Sequence, residues 1–222
     1  MEESGLVSLI RDFCFPAGID VARSFHGLKI RERGEMRATP EARWLPFTAE
    51  QTIDARRNRF RWEARVGDSI FFDAYQDGRG MAGAQPHDGR PLQKIASPEI
   101  DRAELQRYFA SIPMCPSILV NHPSLRWTTA APLSLSLRDE TDVTAAVAEL
   151  ILAENGRPLQ CRAARPRMLG PETLRTPWLG QYLDFQEWNG MRLAGRIAVS
   201  WLLPDNEFEY YRSEIASIEA LQ

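Results

Sequence analysis

Asp73 is the acid whose setting points most directly to chemistry. In "IFFDAYQ" it shares two-residue parity with Phe71 and Tyr75, so an inward-facing strand would bury its carboxylate and oblige it to find a partner. Arg107, beside Tyr108, or Arg212 would supply the cation. Such a pair could orient a ligand head group, or the carboxylate, with a pKa raised by burial, could act as general base. It could also be a salt bridge pinning a helix to a sheet. Ion-pair networks perturb pKa values without any chemistry, which favours this structural role.

Other signatures are weaker. "GRGMAG", residues 78–83, matches the dinucleotide pattern G-x-G-x-x-G. A phosphate cradle needs a helix N-terminus straight after the glycines. The sequence continues "AQPHDGRP" instead, so a glycine-rich hairpin is expected and no nucleotide cofactor. His26, His87 and His122 lie far apart, without the spacing of a metal site. There is no G-x-S-x-G elbow of a hydrolase. Cys14, Cys115 and Cys161 are scattered and odd in number, which predicts reduced thiols. The expectation is therefore no catalytic constellation, no metal and no cofactor.

In "RRNRFRWEAR" arginines interleave with aromatics, as on a single-stranded nucleic-acid platform. Alternation, however, puts the two residue types on opposite faces. The formal charge of −3 and pI near 5.7 also argue against nucleic acid. Nearly all basic residues are arginines, the lysines being Lys29 and Lys94. No apolar run reaches the ~18 residues of a membrane span. The start "MEESGLVSLIRDF" carries acids where a secretory leader would be basic. A cytoplasmic location is the expectation.

Elements that would position these residues follow from periodicity. Leu6, Leu9, Ile10 and Phe13 predict an amphipathic helix from about Gly5 to Phe15, ended by Pro16. In "LKIRERGEMR", Leu28, Ile30 and Met36 share one face. In "LPFTAEQTI", Phe47, Ala49 and Ile53 do so, with Gln51 on the same side. Phe60, Trp62, Ala64 and Val66 alternate with Arg59, Arg61, Glu63 and Arg65, the signature of a half-buried strand. Asp77-Gly78 is a hairpin turn. Ser97 caps a helix over 98–112 with Pro98 at its first position and Leu105, Tyr108, Phe109 and Ile112 as its buried stripe. "LRWTTA" and "LSLSLR" read as strands, as does Val143–Glu154, despite its helical spacing, because Asn155-Gly156 leads into "RPLQCRAA". A meander closes the chain through "GQYLDFQEW", "MRLAGRIAVSWLL" and "FEYYRSEIASIEAL".

The fold class is thus mainly β (α+β): a large curved antiparallel sheet or open half-barrel with a central helix and an N-terminal helix. One domain, 1–222, is expected, with an N-terminal helical segment to residue 24, the sheet over 25–219 and helix 98–112 packed on it. Ten or so strands do not stay flat, and the hollow they form must be filled by a helix, side chains or a ligand.

The ordered series "RGEMR", Trp44 with "PFTAEQ", "FRWEAR", "DAYQDGRGMAG", "LQRYF", Trp127, "PRM", Trp178, "GQYLDF", "VSWLL" and "EYYRSEI" resembles a bacterial family of unknown function from about Gly34 to Ile218. The resemblance implies a β-rich domain without an established activity. Where that family has a glutamate and then a tryptophan after the arginine-tyrosine of its central helix, this chain has Ser111 and Met114. The sequence is also similar, in fold impression, to open half-barrels that carry lipoproteins or lipids.

Six tryptophans in a sheet protein either fill a core or line an apolar pocket. The functional expectation is a non-enzymatic module holding an apolar or amphipathic, lipid-like small molecule. Phe60, Trp62, Trp127 and Trp201 would form the wall, with Tyr75 and Tyr108 beside Asp73 and Arg107 at the polar head. The alternatives are an enzyme using Asp73 as acid or base in the same cavity, and a structural or oligomerisation domain pairing through exposed edge strands.

Overall fold

The computed structural model describes residues 5–86, 93–169 and 172–221. Two antiparallel meanders build it. The first is β1 (Gly27–Met36), β2 (Leu45–Asp54), β3 (Arg59–Val66), β4 (Ser69–Gln76), β5 (Arg79–Gln85) and β6 (Gln93–Ile95). The second is β7 (Leu125–Ala131), β8 (Ser134–Asp139), β9 (Ala148–Leu152), β10 (Pro158–Leu169), β11 (Glu172–Trp188), β12 (Met191–Leu202) and β13 (Glu207–Leu221). They join where β1 pairs with β13, giving one sheet in the order β6-β5-β4-β3-β2-β1-β13-β12-β11-β10-β9-β8-β7. The expected open half-barrel is the observed fold.

Among the described residues four helices complete it: α1 (Gly5–Cys14), α2 (Asp20–Arg23), α3 (Pro98–Ala110) and α4 (Ile118–Asn121). In sequence α3 lies between the two edge strands β6 and β7. It packs on β4 and β5 of one limb and on β9 and β10 of the other, and so crosses the hollow.

Local chemistry accounts for these elements. Along β3, Phe60, Trp62 and Ala64 are buried while Arg59, Arg61, Glu63 and Arg65 are exposed. The arginine face is therefore solvated and the ring face inward. Asp77-Gly78 and Asn189-Gly190 each have two consecutive positive φ angles, as a tight hairpin turn requires. Ser97 Oγ accepts the Ile100 N–H at 3.3 Å, capping α3. The glycines of "GRGMAG" are structural. Gly80 lies on β5, and a Cβ there would sit 2.4 Å from the Ile100 carbonyl oxygen. Only glycine lets α3 approach so closely. Gly80 N–H and the Arg79 guanidinium then donate to the Asp101 carboxylate at 2.7 and 3.1 Å, locking helix to strand.

Three expectations need correction. The strand in Val143–Glu154 is shorter, Ala148–Leu152. Val143 is 94% exposed, and the preceding residues are folded around the Asp142 carboxylate, which accepts N–H bonds from Thr144 and Ala146. On α1, the buried stripe is Val7, Ile10, Phe13 and Cys14, whereas Leu9 lies at the surface. Arg212 is not the partner of Asp73; it donates to Glu35 and lies over Trp44. His87 lies outside the described residues.

Candidate functional site

At one end the hollow is solid core, where Leu28, Ile30, Ile53, Phe60, Leu105 and Tyr108 are fully or almost fully buried. At the other end a cavity of about 310 Å³ remains. This is at the lower end of the size range of small-molecule sites. Helix α3 divides the two. Leu105, Tyr108, Phe109 and Ile112 face the core, as expected. Ile100, Ala103, Glu104, Arg107, Ala110, Ser111 and Met114 line the cavity; spaced i, i+3, i+4, i+7, they form a second stripe. The helix is covered on both sides.

The same division sorts the residues singled out in the sequence. Trp62 and Asp73 face one another across β3 and β4, and Phe60 and Tyr75 are the next inward pair. Trp62, Asp73, Arg107 and Trp201 line the cavity. Phe60, Tyr75, Tyr108 and Trp127 do not. Phe60 and Tyr75 belong to the core pair, and Tyr108 donates from its hydroxyl to the Asp54 carbonyl at 2.8 Å. Trp127 is on β7, the edge strand across from Leu137. Periodicity assigns a side chain to a face of the sheet. Position along the strand, which α3 makes decisive, is not visible to it.

Arg107 stands at the boundary. Its guanidinium donates to Asp73 and lies over Trp62 at 4.6 Å and Phe60 at 5.5 Å. Burial acts to lower its pKa, but Asp73, then Glu104, Tyr211 and Glu32, overcome this and raise it. It stays a cation. With its carboxylate held by a guanidinium, Asp73 is arranged as the structural half of an ion pair, which tells against its use as a general base.

Three further charged residues, Glu32, Glu104 and Arg165, stand in the cavity wall. Glu32 is on β1 and continues the parity of Leu28 and Ile30. Its carboxylate accepts from Trp62 Nε1 at 2.9 Å, Tyr211 OH at 2.9 Å and Ser213 Oγ at 2.6 Å. Glu104, on the second stripe of α3, is within 3.5 Å of Arg165 Nη2 from β10. Arg165 also donates to the Ala103 carbonyl at 2.9 Å and lies over Trp178 at 4.9 Å. Parity with two core residues could have exposed Glu32, and helical spacing Glu104. Tyr210 had no such signal: between Val199 and Ser200 of β12, β13 carries one extra residue. This bulge lets the successive residues Tyr210 and Tyr211 both line the cavity.

Glu104 is the perturbed acid. Burial first, and then the charge of Asp73, push its carboxyl up to about 8, against the pull of Arg165 and Arg107. Folding thus favours its protonated form, so stability falls as pH rises from the ordinary glutamate range towards about 8. Glu104→Gln keeps the shape and removes that slope. Urea denaturation at pH 6 and pH 8 should show the variant's advantage over the parent growing by about 1–3 kcal/mol between the two pH values.

Outside the cavity, the three cysteines are buried and their thiols pushed up to about 12, far from the nucleophilic range. Burial lowers the pKa of His122, against the opposing pull of Asp139 3.8 Å away. No group of acids, cysteines and histidines suited to a metal ion occurs among the described residues. No helix among them is long and apolar enough to cross a membrane.

A model of a family of unknown function (DUF6544) matches residues 5–213. No curated protein matches the sequence. Among solved structures, the chain is similar to a LolA superfamily protein from Nitrosomonas europaea, with TM-score 0.53 and 9% identity over 100% of this chain and 94% of that one. It is similar to a domain from Vibrio parahaemolyticus described as an outer membrane lipoprotein-sorting protein, with TM-score 0.51 and 7% identity over 92% of each chain. A DUF1329 family protein from Desulfovibrio piger gives TM-score 0.52 and 6% identity over 97% of this chain and 92% of that one. At these identities the likeness is one of fold: the half-barrel is LolA-like.

Proposed function

Since this chain belongs to the family of unknown function DUF6544, whose description supplies no activity, we propose from the cavity that it is a carrier or sensor of an apolar or amphipathic small molecule. One observation carries this reading: the hollow is left unfilled at one end and walled there by large apolar groups. Trp62, Phe71, Trp178, Trp201, Met36 and Met168 surround it. A chain with this many rings could have closed the space, as the other end does. Binding an apolar chain there would bury surface at roughly 25 cal/mol per Å². The LolA-like fold supports the reading, since one structure of that fold is described as a lipoprotein-sorting protein.

The test is to fill the space. Val199 lines the cavity from β12 and is only partly buried, so a larger side chain there enters the hollow. The fluorescence of an apolar dye such as N-phenylnaphthylamine should rise on mixing with the protein and fall when decanol competes. Val199→Phe should weaken dye binding by about tenfold or more, as excluded volume in a close-packed site demands, while its circular dichroism matches the parent. Unchanged dye binding in the variant would put the dye elsewhere and remove the support for this cavity.

A further inference from the structure

Building on the binding reading above, we propose that the cavity selects a ligand ending in a single carboxyl group, an alkanoic acid in chemical class, received by Glu104 and Arg165. Both side chains are deeply buried, 5% and 10% exposed, and both line the cavity. Each has a polar atom without a hydrogen-bond partner, Oε2 of Glu104 and Nε of Arg165. Buried orphans of this kind each cost about 1–3 kcal/mol, and the two side chains that carry them approach to 3.5 Å in the lining of the hollow.

The charges around them narrow the choice of head group. Arg107 is already held by Asp73, so it is not free to receive an anion. Glu32 is satisfied by Trp62, Tyr211 and Ser213. That leaves one guanidinium, and one negative charge is what it can match. A phosphate dianion would meet Asp73 and Glu32 with no second cation to offset them. An ammonium head would meet the N–H of Arg165. A carboxylate fits both orphans: one oxygen accepts from Arg165 Nε–H, and the other shares a proton with Glu104. Glu104 carries that proton at neutral pH, since burial and Asp73 push its carboxyl up to about 8.

This arrangement makes binding pH-dependent with a definite sign. Above about 8, Glu104 has lost its proton and must recover one to receive the ligand, so affinity should fall about tenfold per pH unit there. The other groups facing the pair are Asp73 from β4, Glu32 from β1, Arg107 from α3, and Tyr182, Tyr210 and Tyr211 from β11 and β13. Burial raises the pKa of all three tyrosines, and Arg107 is raised as well, so these four do not titrate between neutrality and about pH 9.5.

The experiment is calorimetric titration of the whole chain with decanoate, decanol and decyltrimethylammonium at pH 7 and about pH 9.5. Decanoate should bind about tenfold or more tighter than the other two at pH 7, as a charge-assisted pair implies, and lose at least about tenfold at the higher pH. In Glu104→Gln the carboxamide still donates, so decanoate should bind at both pH values alike. Decanoate binding no tighter than decanol, or binding without pH dependence, would overturn the head-group assignment and leave the binding reading standing. If none of the three binds, the binding reading fails and takes this inference with it.

Discussion

Arg107→Met should lower the stability of this protein by about 3 kcal/mol, and adding Asp73→Val should restore most of that loss. The single change leaves the Asp73 carboxylate without its cation and strips the guanidinium from the faces of Trp62 and Phe60. Breaking a buried pair costs more than replacing it, because the penalty comes mostly from the stranded charge. Asp73 is about a quarter exposed, which places the cost at the lower end of the usual range. Urea denaturation of the parent, both single variants and the double variant forms the cycle. A double variant as unstable as Arg107→Met would mean that the arginine acts through packing on the two rings, not through Asp73.

Glu32→Leu should cost about 3–4 kcal/mol, since three donors inside the sheet lose their shared acceptor at once. Trp62, Tyr211 and Ser213 come from β3 and β13, on either side of the joint between the two meanders. Phe47 stacks on Tyr211 at 5.0 Å and meets Trp62 edge-on at 6.2 Å. The loss should therefore appear as weakened near-ultraviolet circular dichroism as well as a lower denaturation midpoint. A change below about 1 kcal/mol would show that these hydroxyls and the indole find other acceptors. The position is also where an apolar substitution would look conservative by parity alone, because Leu28 and Ile30 precede it on the same face.

The fold was legible because two-residue periodicity is a local property. "RFRWEARV" states its burial pattern residue by residue, and Asp77-Gly78 and Asn189-Gly190 state the turns. The ion pair between Asp73 and Arg107 was legible for a related reason: a carboxylate on a ring-bearing face needs a cation, and the central helix offers one. The composition of the cavity was not. Which inward residues border space rather than core depends on where α3 crosses the hollow between β4–β5 and β9–β10, a long-range fact. Phe60 and Trp62 are two residues apart on one face, yet the first is core and the second is wall. Glu104 was masked by its type, since glutamate on a helix is ordinarily solvated, and here the helix is enclosed on both sides. Tyr210 turns inward through a bulge that strict alternation forbids.

The most direct measurement is a crystal structure of the protein grown with a decanoate brominated at its far end, read by anomalous scattering at the bromine edge. One bromine site is expected inside the hollow among Met36, Phe71, Trp178 and Trp201, with the carboxyl at Glu104 and Arg165. Bromine confined to the outer surface, with the hollow closed by repacked side chains, would contradict it.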